Sequence, residues 1–310
     1  MANLPCDVCG KNISGNYSVL NGKNCCSQKC LEVLLAKCHH CQKPLTGPHM
    51  VVDGKKFCSR ECAATVLPKC HRCGIALFGE SINFISDQEY KYCTACAQME
   101  PCFACQLPEP GTRLRDERLV CHRCQKTAVT SKAEALRMFR EVRAVLKTLG
   151  YAACGEIQFD LVDRPAMKRA AGKLYNEREL GIYRHESQTT TTTTTQGKVV
   201  TDVVTTTAQS CSIFVYDHLP TERFMETVAH ELGHDWCLHQ FGRIASNQIS
   251  EGVAEYVASR FNEAMGWARN NRRMESNTDP VYGAGYRLIR DIAQRNGEAG
   301  LAAWLKKMSQ

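Results

Sequence analysis

His230 and His234 stand four positions apart in the stretch AHELGHDW, and Glu231 follows the first directly. On a helix, residues i and i+4 project from one face, one turn apart. Two imidazoles so placed can hold one metal ion. Glu231 then reaches a water on that ion without being a ligand, and can take its proton. The plain alternative is an amphipathic helix that contains two histidines by chance, since FMETVAHELGHDWCLHQF has an ample apolar face. A third ligand decides between them. The pattern HExxHxxGxxH is excluded, because Cys237 and Gln240 occupy its last two fixed positions and His239 falls one residue short. The run NQISEGVAEYVASRF supplies a glutamate instead: Glu251, 17 positions after His234. Gly242 and Asn247 mark the turn that lets two helices lie antiparallel. Glu255, one turn beyond Glu251, either orients a histidine or is a solvated helix charge.

His230, His234 and Glu251 as ligands, with Glu231 as general base, make the gluzincin set of a zinc peptidase. Such a site also needs a donor for the oxyanion of a tetrahedral intermediate. Tyr282, Tyr256, His185 and His239 are the candidates. Tyr282 is preferred for its place in the loop TDPVYGAGY, against the alternative that it is a core tyrosine.

The chain holds 20 cysteines in 310 residues, and sixteen of them form eight close pairs between Cys6 and Cys124. Cys6 and Cys9 precede Cys26 and Cys30; Cys38 and Cys41 precede Cys58 and Cys62; Cys70 and Cys73 precede Cys93 and Cys96; Cys102 and Cys105 precede Cys121 and Cys124. The leading cysteines 6, 38, 70 and 102 recur every 32 residues, which marks an internal repeat. Four thiolates suit tetrahedral zinc, and a unit of ~30 residues is too small to hold itself together by burial. Four structural zinc ions are therefore expected, one per unit, in addition to a catalytic one. Cys25 competes with Cys26, but the CxxxC spacing repeated at Cys58 and Cys62 favours Cys26. His39, His40, His71 and His122 are expected to be exposed, because four cysteines complete each site. A secreted disulfide scaffold is the alternative, disfavoured by the regular pairs and by an N-terminus without a signal-peptide pattern. The expected location is cytoplasmic.

The formal charge of +7 does not point to nucleic acid. Residues 1–130 carry 16 Lys+Arg and 11 Asp+Glu; sixteen thiolates and four dications turn that +5 into −3. Residues 131–310 hold the remaining 23 and 21, about +2. Neither half has the basic balance that phosphate binding needs, and no apolar run approaches the ~20 residues of a membrane span.

The elements that must position the metal-binding helix are also readable. SKAE at 131–134 reads as a capping box opening a helix that runs to Gly150, CGEIQFDLVD as a strand, and Asp163 as the cap of the next helix. The threonine tract reads as a hairpin turning at QGK, against the alternative of a disordered low-complexity tract, and leads to the strand CSIFVYD, whose edge is expected to accept an extended peptide. Helices follow at 221–241, 248–265, 282–296 and 298–308. The fold class is α+β: four treble-clef, LIM-like fingers over 1–127, then a gluzincin-like metallopeptidase domain over 128–310.

FDLVDRPAM, AHELGHDW, SEGVAEYVA and SNTDPVYGAGYR, in this order and spacing, resemble one known family. It is the LIM-containing, ubiquitin-dependent peptidase family that controls organ size in plants, sometimes called the DA-one peptidases, with its bacterial relatives. The resemblance covers most of 150–297. It implies a zinc peptidase that cleaves proteins, with His230, His234 and Glu251 as ligands and Glu231 as base. It also implies ubiquitin or a ubiquitinated protein as a partner through the fingers. The competing expectation is a non-catalytic protein-binding scaffold built on the fingers.

Overall fold

The computed structural model describes residues 4–153, 155–196 and 199–309, with side chains except at 174 and 187–209. The chain divides into two compact units, Met1–Ile82 with Lys91–Ala97, and Asn83–Tyr90 with Gln98–Gln310.

The first unit holds three cysteine quartets built to one plan. Each opens with a turn closed onto its leading cysteine: Gly10 N–H to Cys6 O at 2.9 Å, Gln42 to Cys38 at 3.0 Å, Gly74 to Cys70 at 2.9 Å. The fourth quartet repeats it, Gln106 to Cys102 at 2.8 Å. The turn puts the residue after each CxxC at positive φ: 72° at Gly10, 61° at Gln42, 73° at Gly74 and 61° at Gln106. The two glutamines tolerate that strain because their side-chain amides donate to the carbonyls of His39 (3.1 Å) and Phe103 (2.8 Å). Short hairpins follow, β1 (Ser18–Leu20) with β2 (Lys23–Cys25) and β3 (Met50–Val52) with β4 (Lys55–Phe57). They turn on Asn21-Gly22 and Asp53-Gly54, all four at positive φ, as two-residue hairpin turns require. The helices α1 (Gln28–Leu34) and α2 (Arg60–Ala64) start on Ser27 and Ser59, whose hydroxyls accept from Cys30 N–H and Cys62 N–H. The third repeat carries β5 (Ile82–Ile85), β6 (Glu89–Tyr92) and α3 (Thr94–Ala97).

The fourth repeat, with β7 (Gly111–Arg113), β8 (Leu119–Cys121) and α4 (His122–Gln125), belongs to the second unit. Cys102, Val120, Cys121 and Cys124 share one apolar core with Val129, Phe139, Phe159 and Phe224. Compact packing divides the chain near residue 97, while the division expected at residue 127 marks the end of the cysteine repeats. Arg118 explains the attachment. Its guanidinium is buried, pairs with Asp116 at 2.7 Å and with Asp217, and lies over Phe103 and Tyr216.

Beyond β9 (Ala128–Val129) and α5 (Lys132–Thr148) lies a three-stranded sheet. Ser131 sits at the N-cap of α5 but its hydroxyl makes no capping bond, so the expected capping box is not formed. Asp163 does cap α6 (Arg164–Ala171), accepting from Ala166 N–H at 2.9 Å. The sheet order is β10 (Ile157–Val162), β12 (Val199–Tyr216), β11 (Gly181–Gln196). The threonines at 189–195 lie in β11 and pair antiparallel with 200–206 of β12; Gly197 and Lys198 of the expected turn, like Cys154, lie outside the described residues. The strand CSIFVYD is not an edge. It is flanked on one side by β10, in parallel, and on the other by β11. The edge is β11.

After β13 (Leu219–Pro220) come four helices: α7 (Thr221–Phe241), α8 (Asn247–Ala264), α9 (Asn271–Ser276) and α10 (Tyr282–Met308). The last is broken at Gly297, φ 68°, where the sequence suggested two helices. The sequence did not suggest α9. Among the described residues no helix is long and apolar enough to cross a membrane.

Candidate metal centres

In each quartet the sulfurs lie within 4.8 Å of one another. Neighbouring sulfurs stand 3.5 Å apart for Cys9–Cys26, 3.5 Å for Cys41–Cys58 and for Cys58–Cys62, 3.9 Å for Cys73–Cys93 and 3.8 Å for Cys105–Cys121. Sulfurs around a tetrahedral zinc, with bonds of about 2.3 Å, stand about 3.8 Å apart. A disulfide would need about 2.05 Å. Cys26, not its buried neighbour Cys25, completes the first quartet. The knuckle histidines take other roles: His39 packs edge-on against Phe57, His71 against Tyr92, and His40 meets Thr65 Oγ1 at 3.2 Å. The amides of Cys26 and Cys9 draw the Cys6 thiol down to about 6, while the crowding Cys9 and Cys6 thiols push Cys26 up to about 12. Four thiols this close cannot all ionise beside one another; a dication among them removes the conflict. The four quartets fit structural zinc.

A different donor set lies between α7 and α8. Contacts along the two helices run in opposite directions: Glu226 meets Asn262, His230 meets Glu255 and Glu251, and His234 meets Ser250. The helices are therefore antiparallel, as the intervening turn suggested. Their close approach depends on Gly233, inside the motif itself. A Cβ there would stand 2.9 Å from Ala254 Cα. Glu251 Oε2 lies 3.3 Å from His230 Nε2 and 3.5 Å from His234 Nε2. Two donors on a tetrahedral zinc with bonds of about 2.0–2.1 Å stand about 3.3–3.4 Å apart, so this donor set fits one ion. The outward nitrogens are held too: His230 Nδ1 is 3.4 Å from Glu255 Oε1, and His234 Nδ1 is 3.5 Å from Ser250 Oγ. Glu255 thus faces a histidine and not open solvent.

Burial works to lower the His230 pKa, but Glu251 and Glu255 outweigh it and hold it well above the usual imidazole range. Burial likewise works against charge on Glu251, and His230 and His234 overcome it, leaving that carboxyl far below its ordinary value. Glu231 is 4% exposed. Burial raises its pKa against the pull of both histidines. The backbone of β11 closes over it: a Cβ on Gly181 would stand 2.7 Å from Glu231 Oε1.

These groups line a cleft of about 1400 Å³. Of the four expected oxyanion donors only Tyr282 lines it, its ring stacked at 6.5 Å from that of His230. Burial and the nearby Glu251 push the Tyr282 hydroxyl pKa upward, so it stays protonated. Tyr256 instead donates to Glu298 at 2.7 Å, and His185 and His239 gather around Cys211. Two features escaped sequence reading. Glu179, raised by burial and by Glu251, lines the cleft from the loop before β11. Arg223 and Arg273 both bind the buried Glu226 at the cleft wall. Neither carries a motif: Glu179 comes from a loop, and Arg273 of α9 joins the Arg223–Glu226 pair, which lies one turn apart on α7. No protein-family model and no curated protein matches this chain.

Proposed function

We propose that the chain is a zinc-dependent peptidase of the gluzincin type, acting on protein substrates, with the cysteine quartets serving to recruit or position a partner. The observation that carries the reading is the convergence of His230, His234 and Glu251 at 3.3 and 3.5 Å, beside a buried Glu231 in an open cleft. Bound zinc would supply a Lewis acid, lowering the pKa of a water and polarising the scissile carbonyl. Glu231 takes the proton of that water and passes it to the leaving amine. Its raised pKa suits both steps, because a base that is too weakly basic cannot hold the proton between them. Tyr282 donates to the oxygen on which charge develops. The β11 edge lines the cleft at residues 181–184 and offers backbone groups to an extended peptide.

Support for recruitment comes from exposed apolar side chains concentrated on the repeats, among them Val19, Val33, Val51, Val66 and Ile75. Val19 and Val51 occupy equivalent positions of the 32-residue period. Ubiquitin or a ubiquitinated protein is the partner proposed for that surface. A finger-only scaffold would bind the same partner and need no base.

Hydrolysis of fluorogenic casein by the purified full chain separates the readings. Glu231→Gln is expected to lower the rate about a hundred- to ten-thousandfold, with folding and zinc content unchanged. Undiminished hydrolysis by this variant, or none by the zinc-loaded wild type, would overturn the proposal.

A further inference from the structure

His185, Cys211 and His239 form a second candidate donor set. Their ligating atoms lie within 4.8 Å of one another. His185 and Cys211 are directly paired across β11 and β12, and His239 comes from the last turn of α7. On a helix of 3.6 residues per turn, His239 projects about 140° from His234 and about 180° from His230. It belongs to neither the cleft nor its ligand set, and the cleft lining includes none of the three residues.

The surroundings argue for more than a chance meeting of surface histidines. His239 Nδ1 donates to the Asp235 carbonyl at 2.9 Å and stands 3.3 Å from Asp235 Oδ1. That fixes the Nδ1–H tautomer and leaves Nε2 with a free lone pair. Asp235 is completely buried. It also accepts from the Tyr183 hydroxyl at 3.0 Å, which in turn lies 3.4 Å from Cys211 Sγ. A buried carboxylate behind a histidine is the support that metal-bound imidazoles ordinarily have. The two imidazole rings, 6.1 Å apart and nearly perpendicular, converge with the thiol.

We propose that His185, Cys211 and His239 bind a second transition-metal ion of the borderline-soft class, zinc in the first instance. Two imidazoles and one thiolate select zinc, cobalt or copper over magnesium and calcium. Binding displaces the proton of the Cys211 thiol, which passes to solvent. Three protein donors leave a fourth position for water or a further ligand. The ion ties β11 and β12 to the end of α7. Because β11 also carries Gly181 against Glu231, it fixes the strand that walls the cleft.

The test uses the full chain with its quartets filled with zinc, titrated with Co²⁺. A thiolate-to-cobalt charge-transfer band should grow and saturate in the wild type, and the thiol-free cleft site adds no such band. It should be lost in Cys211→Ser and in His239→Ala, and persist in His230→Ala. His239 lies at the protein surface, so its variant is expected to keep the wild-type circular dichroism even if the buried Cys211 variant does not fold. A band that is absent in the wild type, or equally strong in His239→Ala, overturns the site. Neither result depends on peptidase activity.

Discussion

The first three cysteine quartets and the fourth share a 32-residue period, knuckle turn and hairpin, yet they sit in different surroundings. The second quartet's cluster is small: Cys38, Leu45, Phe57 and Ala63 are its buried members. The first has only Cys6, Cys25 and Cys30. The fourth is continuous with the core that holds α7, and Arg118 fastens it there. One repeated sequence thus serves two ends. The first two copies close small clusters of their own, and the fourth has become part of the core of a larger unit.

The largest expected effect tests that contrast. All three tryptophans, Trp236, Trp267 and Trp304, lie in the second unit, so their fluorescence reports on it alone. A structural zinc site contributes about 10–16 kcal/mol, as much as a whole domain's stability of about 5–15 kcal/mol. Cys124→Ser should therefore abolish or severely weaken the tryptophan-monitored transition. Cys30→Ser should leave it in place while the first repeat becomes sensitive to protease. Equal effects from the two variants would break the comparison.

A smaller loss is expected from Arg118→Met. It strands Asp116 and Asp217 without their cation and should cost about 3–5 kcal/mol in the same denaturation experiment. A change under 1 kcal/mol would mean that apolar packing alone attaches the fourth repeat.

The smallest effect is a pH dependence. Burial raises the Asp116 pKa, but the Arg164 amide and Arg118 outweigh it and hold the carboxyl below its usual range. Its contribution is present above the unfolded value near pH 4 and is lost as pH falls through the lower folded value. Asp116→Asn should flatten the acid limb of stability against pH and change little at neutrality. An unchanged acid limb would remove Asp116 from the account.

What could be read in advance was local. The 32-residue cysteine period, the His230–His234 spacing, Glu251 and the bounds of α7 and α8 all follow from patterns within one or two turns or from ligand arithmetic. What could not be read depends on distant partners. Arg118 finds Asp217 across 99 positions, and nothing in LRDERLV marks it as the most buried cation among the described residues. The central place of CSIFVYD is hidden for the same reason: only the parallel pairing of 157–162 with 211–216 gives it a neighbour on both sides, and no local pattern encodes it. The short helix α9, in the polar run NRRMES, shows no apolar stripe to announce it. His185, Cys211 and His239 were visible one at a time but not as a group, because the hairpin and the helix end bring them together.

Gly181 has a consequence of its own. Leu180 and Ile182 flank it, so a slip of β11 by one residue would drive a branched side chain into the space of the Glu231 carboxylate. The Glu231 carboxylate is thereby a gauge of strand alignment. Only one register of the hairpin leaves it room, and whatever steadies that alignment also keeps the carboxylate in its place at the cleft wall.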